Sequence, residues 1–265
     1  ETTGGQQRLS LSLRTTEGIQ IASANSNSAG ANVQKRLFRL PADGTYIVVT
    51  SGMNDTVGPY KLWYSNLSLN GAMISDGQSV RGEIDYPGDG ELFTFNGHAG
   101  ERVTLFVDNL MVTGTRRLAM TVYKPTSTSP WKNPSSSLGG WDIEGRGYSL
   151  PDNGTYMVVV EGASDSIGGY QLGYSNISQD VTVVEDGQTF GQSISFAGDE
   201  DAFAFMGCGG DIVTVFGDNM TTEGDRRLTL TLSGPNGATV STNSSTTAGN
   251  DVQLKDVTLT SAGQY

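Results

Sequence analysis

From Val80 to Tyr174 the chain breaks into short runs in which aliphatic, aromatic and β-branched residues alternate with polar ones, each run bounded by Gly, Pro, Asn or Asp. A period of two sends successive side chains to opposite faces of an extended strand, and the bounding residues supply the turns. The pattern predicts strands at Val80–Ile84, Leu92–Asn96, Arg102–Asp108, Arg117–Tyr123, Tyr148–Leu150, Thr155–Glu161 and Tyr170–Tyr174. The irregular stretch 124–147 has room for one more, which makes about eight strands and almost no helix. Leu118, Met120 and Val122 share one face, with Ala119 and Thr121 on the other. Two sheets burying such faces against each other form a sandwich.

The same pattern recurs. PADGTY at 41–46 matches PDNGTY at 151–156, DGQS at 76–79 matches DGQT at 186–189, and GTRRLAMTV at 114–122 matches GDRRLTLTL at 224–232, all displaced by 110. A third copy shows in QQRLSLSL at 6–13 and AGQY at 262–265, displaced by 109. The expected fold class is therefore all-β: tandem antiparallel, jelly-roll-like β-sandwich domains of about 110 residues per repeat. The domains are expected at 1–68, a partial repeat lacking its first strands; 69–178, a complete repeat; and 179–265, a repeat lacking its last strands. GIQIAS at 18–23 and ATVSTN at 238–243 place an extra strand in the irregular stretch of the outer copies, and Tyr46–Thr50 and Tyr60–Tyr64 read as strands of the first copy. Leu-Pro-x-x-Gly-Thr-Tyr ahead of a strand predicts a corner whose tyrosine hydroxyl reaches back to the backbone.

Gly-Asp-x-Asp-x-Phe-x-Phe at 198–205, Gly-x-x-Gly-Asp-x-Val-Thr at 207–214, the strand RRLTLTL, and LPDNGTYMVVVEG with GGYQLGY at 150–174 resemble the bacterial pre-peptidase C-terminal domain. The resemblance covers nearly the whole chain and implies a β-sandwich from a secreted protein, often one with a neighbouring peptidase domain. The second copy departs from the motif with Gly90 and Glu91, and the first copy lacks this segment.

Composition narrows the function. Net charge is -12, from 16 Lys and Arg against 28 Asp and Glu, which disfavours nucleic acid and anionic membrane surfaces as partners. No apolar run approaches the roughly 20 residues of a membrane span, so no membrane insertion is expected, and the N-terminal ETTGGQQRLS has neither the basic nor the apolar region of a signal peptide. A single cysteine, Cys208, excludes a disulfide within the chain, and a single histidine, His98, restricts nucleophilic and metal chemistry. His98 and Cys208 fall at one repeat position, in glycine-rich turns, which argues against a dedicated nucleophile.

The acidic turn Asp199, Glu200, Asp201, with Asp89 and Glu91 in the preceding copy, offers clustered carboxylates suited to Ca2+; no other cofactor is indicated. The competing reading is a solvated turn whose carboxylates bond local amides or pair with Arg116, Arg117, Arg226 or Arg227. Asp108-Asn109 and Asp218-Asn219 likewise read as cation oxygens or as Asx turns. Trp131 and Trp141 bracket the irregular stretch and have no tryptophan counterparts, so they are candidate contacts for a polysaccharide or protein ligand, or else fold over the sandwich edge. Asn-x-Ser/Thr sequons stand at Asn54, Asn66, Asn153, Asn176, Asn219 and Asn243, candidate glycosylation sites in an exported protein.

The functional expectation is a non-enzymatic protein of the cell surface or extracellular space. It would be a tandem rod of a fibre, filament or matrix that associates with itself head-to-tail through its incomplete repeats. The alternative is a binding or secretion-accessory segment of a larger secreted hydrolase.

Overall fold

A computed structural model describes residues 7–36, 38–69, 71–111, 115–179, 181–220 and 227–265. Helix among them is limited to single 3-10 turns at Met53–Asp55 and Leu67–Leu69. The first repeat forms β1 (Leu9–Thr15), β2 (Gln20–Asn25) and β3 (Tyr46–Gly52), an antiparallel sheet in the order β2-β1-β3. The middle repeat contributes β4 (Ala72–Met73), β5 (Gln78–Ile84), β6 (Gly90–Gly97), β7 (Arg102–Asn109), β8 (Arg117–Tyr123), β9 (Pro130–Lys132), β10 (Ile143–Ser149), β11 (Gly154–Ala163) and β12 (Gly168–Asn176). These make two facing sheets, β10-β7-β12-β5 and β4-β6-β11-β8-β9.

The alternation explains the core. Val158 lies opposite Phe93 and Val122, and Leu172 opposite Val80 and Val107, so the inward, even-numbered face of each central strand meets apolar neighbours on both sides. Phe93, Phe95, Leu105, Leu118, Met120, Tyr156, Val158, Tyr170 and Leu172 form one buried cluster. Each expected strand of this repeat is present, most of them extended by one or more residues, and the irregular stretch holds β9 and the start of β10. The expected corner occurs in all three repeats: the hydroxyls of Tyr46, Tyr156 and Tyr265 donate to the carbonyls of Ala42, Asp152 and Ser261 at 2.6, 2.8 and 2.9 Å.

A second recurring bond was not anticipated. The buried hydroxyls of Ser26, Ser136 and Ser245 accept from the backbone N–H of Leu9, Leu118 and Leu228, each at 3.0 Å. They fix the chain leaving the β2 and β9 region against the start of the neighbouring strand.

The third repeat forms β13 (Val181–Val183), β14 (Ala202–Ala204), β15 (Met206–Gly207), β16 (Ile212–Gly217), β17 (Thr229–Ser233), β18 (Thr239–Ser244), β19 (Val252–Thr258) and β20 (Gly263–Gln264), paired two by two. One expectation fails, in the first repeat: the strand expected at Tyr60–Tyr64 does not form, residues 61–66 having no strand assignment. Residues 188–194, the counterpart of β5, form no strand either. In the middle repeat these positions are the mutually paired β12 and β5.

By contacts the chain divides into two compact units, one comprising the chain up to Asn176 with Ile194–Glu200, the other Ile177–Ser193 with Asp201–Tyr265. In the first unit both outer faces of the middle sandwich are covered. Residues 32–36 meet β11 and the turn after it, with Arg36 paired to Glu161 at 3.0 Å and Asn32 donating to Asp165 at 2.8 Å. Residues 194–200 lie on β7, β10 and β12, where the Glu200 carboxylate takes the Thr104 hydroxyl at 3.0 Å and Arg146 at 3.1 Å. A Cβ on Gly173 would meet the Phe196 ring at 2.4 Å, so glycine there is what lets this segment sit flat on β12.

Candidate binding surfaces

Comparison of the same position in successive repeats identifies the surface available for binding. Tyr170, Leu172 and Tyr174 on β12 are at most 3% exposed, whereas their counterparts Tyr60, Leu62 and Tyr64 are 48, 52 and 74% exposed. Val158 is fully buried, and its counterpart Val48 on β3 stands exposed beside Ile47 and Val49. The third repeat shows the converse. Val213, Val215, Leu228 and Leu230 are only half-buried where Val103, Leu105, Leu118 and Met120 are enclosed. Phe203 is 43% exposed where Phe93 is 4%.

Backbone pairing follows the same division. Among the described strands β16 pairs only with β19, and β17 only with β18, so the edges that face β12 and β11 in the middle repeat carry no strand. The path of β11 is already begun: β20 pairs with β15 as Gly154–Thr155 pair with Asn96–Gly97, and Tyr265 exchanges two backbone bonds with Phe205, at 2.9 and 3.1 Å.

The sequence-predicted carboxylates do different work. Asp89 and Asp199 close equivalent turns, accepting from the backbone N–H of Asp85 at 3.0 Å and of Ser195 at 2.7 Å. Asp199 also accepts from Glu200 N at 3.0 Å. Glu91 is half-buried and its Oε2 accepts both the Tyr170 hydroxyl and Glu83 N–H; burial holds its carboxyl above the usual value, against the lowering effect of those bonds. The same burial, with the neighbouring carboxylate, holds the Tyr170 phenol far above its ordinary range. Asp201 is exposed and lies in the second unit. Among the described residues no group of three His, Cys, Asp or Glu is gathered as metal ligands. The arginines expected to pair with these turns are engaged elsewhere: Arg116 donates to the carbonyls of Gly168 and Gly169, and Arg117 to that of Ser136. Arg226 lies outside the described residues. Asp108 is raised by burial and by Asp142, whose carboxylate accepts Asn109 N–H at 2.9 Å, and Asp251 accepts Asn219 N–H at the same distance; the Asn109 side chain accepts Met111 N–H at 3.3 Å, as an Asx turn does.

Trp131 and Trp141 part company. Trp131 folds back against Tyr148 and Tyr156, ring centroids 5.7 and 5.9 Å away, with the Lys132 ammonium over its ring. Trp141 stands exposed next to exposed Leu138. Of the sequon asparagines, Asn54 and Asn153 are exposed, and Asn66 and Asn219 half-buried. Asn243 is exposed with its amide donating to Gln253 O. Asn176 is corrected as a sugar acceptor: it is 1% exposed and its amide nitrogen donates to Glu101 at 3.1 Å, leaving no room for a glycan in the folded repeat. His98 bonds Glu101 in its own turn, and exposed Cys208 has the same turn geometry with Asp211.

No family model matches the chain, and no curated protein does. Among solved structures it is similar to the pre-peptidase C-terminal domain of a collagenase from Bacillus anthracis, at 16% identity and a TM-score of 0.33, over 40% of this chain and 94% of that one. It is also similar to PliG, a periplasmic inhibitor of g-type lysozyme, from Aeromonas hydrophila (16% identity, TM-score 0.31, 40% of this chain and 96% of that one). The Salmonella Typhimurium PliG gives 15% identity and a TM-score of 0.28, over 40% and 98%.

Proposed function

We propose that the chain is a non-catalytic structural module of the cell exterior, a tandem β-sandwich rod that works by protein–protein association through extended segments. The observation that carries this is the set of apolar side chains, among them Ile47, Val48, Tyr60, Leu62, Tyr64 and Phe203, that stand exposed at positions whose counterparts form the core of the middle repeat. Exposed apolar surface of this kind marks association sites on proteins outside membranes. The exterior location rests on the motif resemblance to a family of secreted proteins.

The test is a titration of the 265-residue chain with a synthetic peptide of residues 154–176, the segment that fills the corresponding place in the middle repeat. Saturable binding and a rise in melting temperature are expected, with a scrambled peptide inert. Absence of binding at hundreds of micromolar would overturn the reading.

A further inference from the structure

We infer that the outer face of the middle repeat carries a site for one neutral sugar ring, on the sheet β10-β7-β12-β5 beside the segment 194–200. The site shares no residue with the exposed apolar positions on which the association reading rests. Strand alternation places its floor. Val107 and Leu172 belong to the core, so Asp108 on β7 and Gln171 on β12, which lie directly opposite each other, stand on the outer face. Arg81 on β5 lies opposite Gln171, and its charge acts on Asp108. Asp142, one residue before β10, accepts Asn109 N–H at 2.9 Å and hydrogen-bonds Asp108. Four polar side chains thus form one row across the sheet. Gln171 Nε2 donates to Ser79 Oγ at 2.7 Å, which orients its amide.

The segment 194–200 supplies the wall. It is tied down by Glu200, which takes the Thr104 hydroxyl and Arg146, and its Phe196 ring packs where a Cβ on residue 173 would stand. Between this segment and the polar row is a cavity of about 250 Å³, lined by Asp108, Gln171, Gly173, Ser195, Phe196 and Ala197. One repeat earlier, Trp63 stands where Gly173 does and stacks on Tyr86, the counterpart of Phe196, with ring centroids 6.3 Å apart. The aromatic wall recurs there, but the glycine that leaves room beside it does not.

The lining selects the class of ligand. Carboxylates accept hydrogen bonds, a guanidinium donates them, and an amide or a seryl hydroxyl does both. That mixture suits a ring of hydroxyls, each of which donates and accepts, while the Phe196 ring offers an apolar surface to the C–H face of a pyranose. Two carboxylates fall short of the roughly six to eight oxygens that Ca2+ takes, and an anion would meet both of them with only Arg81 in its favour. Sites for drug-sized molecules run to about 300–1,000 Å³, so this cavity admits a single ring and not a buried oligomer.

The experiment is an amide-resolved NMR titration of the full chain with glucose, galactose, mannose and N-acetylglucosamine, each added separately, and with sorbitol as an open-chain control. At least one of the four rings should bind with a dissociation constant of about 1–5 mM, the scale for a ligand of about a dozen non-hydrogen atoms. In the parent chain the shifts should centre on residues 108, 171, 173 and 195–197, a readout that needs no mutation. Gln171→Ala and Phe196→Leu, with folding checked by circular dichroism, should each weaken binding by at least about fivefold; Trp141→Ala should leave it unchanged. No shift with any of the four rings at about 50 mM, equal shifts with sorbitol, shifts centred elsewhere, or binding lost in Trp141→Ala and kept in Gln171→Ala would each overturn the proposal.

Discussion

Leu172 and Leu62 occupy one repeat position and differ only in what surrounds them, which makes Leu→Ala at both sites a controlled measurement of burial. Leu172 is fully enclosed, opposite Val80 on one side and Val107 on the other, in a strand paired along both edges. Such a site cannot collapse onto the space left behind, so truncation removes the transfer energy of the lost groups and adds a cavity cost. Leu→Ala changes of this kind cost about 2–5 kcal/mol, and the two-sided pairing places Leu172→Ala in the upper half of that range. Leu62 is 52% exposed, and substitution at such a position shifts stability by about 0.5 kcal/mol or less. At about 4–8 °C per kcal/mol for a domain of this size, Leu172→Ala should lower the main transition by more than about 10 °C and Leu62→Ala by less than about 4 °C. Calorimetry at low micromolar concentration, where the chain is expected to be monomeric, measures both, and the fluorescence of Trp131, packed on Tyr148 and Tyr156, ties the transition to the middle repeat. Equal shifts at the two positions, or a shift below about 2 °C for Leu172→Ala, would refute the claim that the middle repeat alone encloses this position.

Ser136→Ala should cost about 1–3 kcal/mol, because the buried Leu118 N–H loses its acceptor; the urea midpoint measures it, and Ser26→Ala should cost less in the more open first repeat. Burial raises the Glu91 carboxyl in the folded state, so stability from this group is greatest below its unfolded value and declines as pH rises through the folded one. Glu91→Gln keeps one oxygen able to accept both bonds, so it should flatten that decline above the ordinary glutamate value; a variant with the parent's slope would contradict the assignment. Chelation should move the melting temperature by less than about 2 °C, since Asp89 and Asp199 spend their oxygens on backbone amides; a larger drop restored by calcium would show a site at the acidic turns.

The middle repeat was legible because its information is local: period-two alternation, turn residues and the Thr-Tyr corner each act within a few residues, and all reappear in the structure. The seryl bond was not legible. Ser26, Ser136 and Ser245 sit in tracts rich in Ser, Asn and Thr, where nothing in the residue type marks the one hydroxyl that turns inward; only its recurrence with the leucine 17 or 18 residues away distinguishes it. The partners of the acidic turns were illegible for another reason. Carboxylates crowd there in sequence, but Glu200 reaches Arg146 and Thr104, far off in the chain, and Asp199 is consumed by its own turn.

Residues 60–64 carry the deeper lesson. YKLWY alternates as YQLGY does at 170–174, and the pattern is that of a strand in both. Only the second is one, because β5 and β7 stand on either side of it to receive its backbone bonds, while the first has no such pair. Alternation therefore encodes a capacity to be buried between two neighbours, and the neighbours decide whether it is used. A segment that keeps Tyr60, Leu62 and Tyr64 at the surface without a ladder to hold them retains that capacity unspent.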